Sequence, residues 1–103
     1  MKRIALLCAL MAAGWAAQAA TVDEAMTKAG CVACHAKDKK VVGPAFKGVA
    51  AKYKGQGDAV AKLTDKVRKG GSGVWGPIPM PPHNAEKISD ADLKAVIESI
   101  LKS

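Results

Sequence analysis

Residues 30–40 read GCVACHAKDKK: Cys31 and Cys34 stand three apart, and His35 follows the second directly. A pair at this spacing closes a tiny loop, and the stabilisation from a crosslink grows with loop length, so a disulfide here staples little. A thioredoxin-like dithiol belongs in a βαβ setting, and no stretch of the chain alternates apolar and polar residues as strands do. Zinc stays open as a third reading, with Cys31, Cys34, His35 and the distant His83 as donors, although adjacent Cys34 and His35 depart from the paired spacing of zinc ligands. The fourth reading accounts for the spacing itself. C-x-x-C-H is the attachment signature of c-type haem. On one helical turn i and i+3 share a face, so both thiols reach the vinyl-derived carbons of one porphyrin edge while His35 projects under the iron as its proximal ligand.

The surrounding chain suits a domain built round such a body. Residues 4–13 form an apolar run after Lys2 and Arg3, and Ala17-Gln18-Ala19 has the A-x-A pattern of a signal-peptidase site. Residues 1–19 therefore read as a cleaved export signal, too short for a membrane span of about 20 apolar residues, and residues 20–103 as one domain. Without residues 1–19 the 103-residue chain has 84 left, near the size at which small folds recruit a disulfide, metal or cofactor. Its only aromatics are Phe46, Tyr53 and Trp75. With Lys2 and Arg3 gone, 14 basic residues face 9 acidic ones, a formal charge of about +5. The lysines are dispersed and not interleaved with aromatics, so the charge points to acidic protein partners and not to nucleic acid.

Four helices are expected, giving an all-α class. Val22, Ala25, Met26 and Ala29 form one apolar side over residues 23–29, closed by Gly30. Phe46, Val49, Ala50 and Tyr53 recur at helical spacing until Gly55 and Gly57. Asp58 is read as the N-cap of a third helix carrying Val60, Leu63 and Val67, ended by Gly70 and Gly71. Residues 70–82 read as a Gly- and Pro-rich loop. Ser89 with Asp92 three on makes a capping box, before the stripe Leu93, Val96, Ile97, Ile100 and Leu101.

A histidine-bound haem iron is either open on its other side or closed by a second protein ligand. Met26 lies five residues before Cys31 and reads as core. Met80 lies 45 residues past His35 in GPIPMPPH, where Pro77, Pro79, Pro81 and Pro82 stiffen the chain and remove backbone donors. A stiff loop holding a thioether on iron limits reorganisation and raises the potential. His83 is the competing ligand, and otherwise reads as a solvent-exposed loop histidine.

Taken together, GCVACHA, VGPAFKGVAAKY, GVWGPIPMPP and the terminal helix stand in the order and spacing of a known family. The chain resembles the small bacterial class I cytochromes c of the c-551 type, also called cytochrome c8, over essentially all of residues 20–103. The resemblance implies a fold of about four helices round one covalently bound haem c, with thioethers at Cys31 and Cys34 and axial ligands His35 and Met80. It implies a Pro44 carbonyl accepting the His35 hydrogen bond, and a Trp75 indole N–H aimed at a haem propionate. Two departures stand out: relatives commonly have Asn directly after M-P-P, where this chain has His83 and then Asn84, and Lys66, with Arg68 close by, stands where relatives have an arginine near a propionate.

The expected function is a soluble periplasmic one-electron carrier and not an enzyme, monomeric and without stable membrane insertion. Redox proteins would dock transiently at the haem edge, steered by Lys28, Lys37, Lys39, Lys40, Lys47, Lys52 and Lys54. The resemblance implies donors such as a membrane cytochrome complex and acceptors such as nitrite reductase, a terminal oxidase or a photosynthetic reaction centre. The alternatives are a peroxidase-like haem enzyme and a gas-binding module, either of which needs a labile Met80.

Overall fold

The computed structural model describes residues 21–103. The expected export signal, residues 1–19, lies outside the described residues. Four helices follow in order: α1 (Val22–Ala29), α2 (Phe46–Tyr53), α3 (Ala59–Lys69) and α4 (Asp90–Leu101), with a 3-10 turn at Cys31–Ala33. Between α3 and α4 lies a hairpin of β1 (Gly71–Gly73) and β2 (Gly76–Met80). Among the described residues, no helix is long and apolar enough to cross a membrane.

Each helix boundary has a local cause. Thr21 Oγ1 accepts from the Glu24 N–H at 3.2 Å and starts α1. Gly30, at φ +83°, stops α1 in the left-handed conformation that glycine adopts without a Cβ penalty, so the cysteine motif starts with a sharp turn. No side chain caps α2. Instead the Phe46 and Lys47 N–H groups donate to the carbonyls of Ala36 and Lys37 at 2.9 and 3.1 Å, which ties the loop after His35 to the helix start. Asp58 does precede α3, but its carboxylate makes no cap and reaches Lys62 at 3.3 Å, a correction to the expected N-cap. Ser89 Oγ accepts from the Asp92 N–H at 3.2 Å, as the capping box requires of its serine.

The expected stripe on α4 forms the centre of the molecule. Leu93 and Ile97 are each 1% exposed and are the largest fully buried side chains. Round them pack Ala25, Met26 and Ala29 of α1, Phe46 of α2 and Ile88, with Val60, Leu63 and Val67 of α3 partly buried alongside. Met26 is core, as its position before the cysteines suggested.

The hairpin departs from the expected loop. Gly71 pairs with Met80 and Gly73 with Gly76, antiparallel, with an irregularity between them. Glycines at φ +117°, +113° and +113° (Gly71, Gly73, Gly76) supply a backbone that other residues rarely adopt. The paired positions are non-proline, so the ladder forms despite Pro77 and Pro79. It leaves no apolar alternation to read.

Candidate haem site

The cysteine segment is folded by its own backbone. The N–H groups of Cys34 and His35 both return to the Cys31 carbonyl, at 3.2 and 3.0 Å. The Gly43 and Val42 N–H groups then donate to the Cys34 carbonyl at 2.7 and 3.2 Å, so the loop closes back over the motif. Cys31 and Cys34 form no disulfide with each other and lie half-buried on one cleft. Burial pushes the Cys31 thiol above its ordinary pKa, against its backbone hydrogen bond, and the Cys34 charge adds to the rise. A protonated, shielded thiol is the reverse of the low-pKa nucleophile that a redox dithiol needs.

His35 is held on three sides. Its Nδ1–H donates to the Pro44 carbonyl at 2.8 Å, which fixes the tautomer and leaves Nε2 as a free lone pair. The ring stacks on Phe46, centroids 5.3 Å apart and planes 20° apart. Gly43 lies against the ring so closely that an added Cβ would sit 2.5 Å from Cε1 and 2.9 Å from Nδ1. The sequence marks Phe46 only by its helical spacing and gives Gly43 no role; the close approach is the physical reason for glycine before Pro44. A Gly43→Ala variant is therefore expected to push the imidazole off the Pro44 carbonyl and to lose about 1–3 kcal/mol of stability, read as a lower thermal midpoint of the haem protein.

The cleft is open to solvent on one side. One wall carries Cys31, Cys34, His35 and Pro44. Leu63, Lys66 and Val67 of α3, Leu93, Val96, Ile97 and Ile100 of α4, and the hairpin with Trp75 and Met80 make up the rest. All six sequence-identified site residues thus meet on one cavity. Its walls are apolar, and Lys66 is the single charged side chain on them. These residues fit a flat, largely apolar macrocycle with an anionic edge: paired thiols for attachment, an oriented nitrogen donor, a thioether and one cation.

His83 is neither exposed nor on this cleft, which corrects both expectations for it. It is 6% exposed because its N–H donates to the Val67 carbonyl at 2.9 Å and its carbonyl accepts from Arg68 Nη1 at 3.3 Å, drawing it in against α3. Its Nδ1 is buried without a partner among the described residues. Asn84 Oδ1 accepts from the Glu86 and Lys87 N–H groups, both at 3.1 Å, and so serves a local turn. Neither residue hydrogen-bonds the Met80 sulfur. Of the two basic candidates for a propionate, Lys66 faces the cleft while Arg68 turns to Asp90 at 2.6 Å. Trp75 sits at the hairpin turn, 39% exposed, with Lys52 Nζ 5.5 Å from its ring centroid.

A four-helix domain with two thiols three residues apart and an oriented imidazole on an apolar cleft defines a small covalent haem-binding protein. The Cytochrome c family model matches residues 19–103, and the chain belongs to that family. It is 50% identical to cytochrome c2 of Rubrivivax gelatinosus over 82% of this chain and 99% of that protein. It is 44% identical to cytochrome c-551 of Pseudomonas aeruginosa over 98% of this chain and 97% of that one. The crystal structure of Nitrosomonas europaea cytochrome c552 superposes with a TM-score of 0.70 at 49% identity, over 78% of this chain and 96% of that one. The protein is a small class I cytochrome c of the c-551 type, an electron carrier with one covalently bound haem c.

Proposed function

We propose that the chain is a periplasmic one-electron carrier in which Cys31 and Cys34 hold haem through thioethers and His35 and Met80 are its axial ligands. The observation that carries this reading is that His35 and Met80 line one apolar cleft whose rim is open to solvent. Bound haem supplies reversible one-electron exchange between ferric and ferrous iron. The chain's own residues set the conditions for that exchange. The Pro44 carbonyl, Phe46 and Gly43 hold the His35 ring in one plane with Nε2 free. The prolines on both sides of Met80 restrict where its thioether can go, keeping reorganisation small. Lys66 would supply a cation to an anionic propionate and Trp75 its indole N–H; that both residues line the cleft supports these roles.

The rim supports transient docking. All the large exposed apolar side chains among the described residues belong to two segments at the cleft: Val32, Val41 and Val42, and Val74, Trp75 and Ile78. The seven lysines named above are all exposed, and most follow the cysteine motif or lie on α2. An apolar contact flanked by cations suits acidic-faced redox partners that bind a small area and leave quickly. The A-x-A site at Ala19 supports the periplasmic location.

A spectroelectrochemical titration tests the carrier reading: one reversible one-electron wave, with a reduced form that does not bind carbon monoxide. Rapid carbon monoxide binding or peroxide turnover would instead select an open site. In the same titration Lys66→Met is expected to lower the midpoint by roughly 20–40 mV, the one-electron equivalent of a partly exposed charge contact.

A further inference from the structure

The stretch around Met80 has few hydrogen bonds of its own, because Pro77, Pro79, Pro81 and Pro82 have no N–H. It is tied to the body of the protein at two places. One is the pairing of Met80 with Gly71. The other is His83, bound through its N–H to the Val67 carbonyl at 2.9 Å and through its carbonyl to Arg68 Nη1 at 3.3 Å. Arg68 also donates from Nη1 to the Ile88 carbonyl at 2.7 Å and from Nη2 to Asp90 Oδ1 at 2.6 Å. One guanidinium therefore joins α3, the far end of the Met80 segment and the first turn of α4. Its side chain is 20% exposed and that of Asp90 is 93% exposed, so the ion pair contributes little and the two carbonyl bonds carry the contact.

We propose that Arg68 is a positioning residue for Met80, setting how readily the thioether leaves the iron although Arg68 does not line the haem cleft. The inference rests on the axial role proposed for Met80. For the sulfur to swing away, residues 76–82 must move, and prolines pass that motion to the ends of the segment instead of absorbing it. The His83 end is the one that a side chain holds, and that side chain is Arg68.

The test uses the ferric haem protein and follows displacement of Met80 by added imidazole through loss of the weak red methionine–iron band, well below the unfolding temperature. Arg68→Met is expected to speed displacement roughly tenfold, the loss of a charge-assisted hydrogen bond to a carbonyl. Asp90→Asn is expected to stay within about twofold of the parent, as an exposed pair should. Ala25→Gly in α1, a buried helical site remote from the loop, is expected to lower the thermal midpoint while leaving the rate unchanged. An unchanged rate in Arg68→Met, or an equal acceleration in Ala25→Gly, overturns the proposal. If Arg68→Met does not load haem, Arg68→Lys decides: it keeps the charge but loses the fork of donors, so faster displacement supports the proposal and the parent rate overturns it. A parent protein without the red band would overturn the ligation by Met80 itself, which separates the two failures.

Discussion

A Cys31→Ala, Cys34→Ala double variant is expected to carry no covalent haem and to be largely unfolded at 25 °C, with most of its helical circular dichroism lost. The core explains the size of the effect. Among the described residues eleven apolar ones are buried, and four of them, Ala25, Ala29, Ala50 and Ala59, have only a methyl group to contribute. Only Leu93 and Ile97 among the described residues are fully buried large side chains. Leu63 and Val67 of α3 and Ile100 of α4 are only partly buried by protein and line the haem cleft, so the cofactor would complete their burial. A group that packs only against the folded chain stabilises it, and covalent attachment keeps that group at hand whenever the chain folds. A cooperative unfolding transition of the variant at the parent's midpoint would contradict this account.

Gly70→Ala is expected to be the most damaging single methyl addition. Gly70 ends α3 by donating its N–H to the Lys66 carbonyl at 2.7 Å and turns the chain at φ +67°. An added Cβ there collides with the Met80 carbonyl oxygen and stands 2.8 Å from Pro82 N and 2.9 Å from Pro81 C. All three neighbours are backbone and cannot rotate away. At φ +67° and ψ −156° the backbone lies in a region that essentially only glycine occupies; strain of about 1–2 kcal/mol adds to overpacking of about 1–3 kcal/mol, for a loss of about 2–5 kcal/mol. In a domain of this size that corresponds to a fall in thermal midpoint of roughly 10–30 °C. Because the collision is with the Met80 segment, the red methionine–iron band is expected to weaken below the unfolding transition; a variant with parental midpoint and band would refute the close approach.

How much could be read from the residues alone differs from element to element, for physical reasons. The stripe from Leu93 to Leu101 and the caps at Gly30 and Ser89 are local patterns, and α1 and α4 form where those patterns lie. The cysteine motif could be read because its chemistry is carried by residue type and spacing, and Met80, proposed above as a ligand, stands out by the prolines on both sides of it. The hairpin was not: its ladder is made by glycine backbone and interrupted by prolines, which removes the alternation that marks a strand. Asp58 stands in a capping position, yet its carboxylate prefers Lys62. His83 looks like a surface histidine in a polar loop, and only the contacts of Val67 and Arg68 from α3 draw it inward. Gly43 and Arg68 act through residues far away in sequence. The sole sequence signal for Gly43 is a small residue before the proline whose carbonyl orients His35, and for Arg68 there is none.

The most direct test of the central claim, a His35- and Met80-ligated haem on one apolar cleft, is the optical absorption spectrum of the purified protein, oxidised and then reduced. The account predicts a low-spin c-type spectrum whose ferric form has the weak red band of methionine–iron ligation. A c-type spectrum without that band would contradict the role of Met80, and a protein free of haem would return Cys31, Cys34 and His35 to zinc or dithiol chemistry.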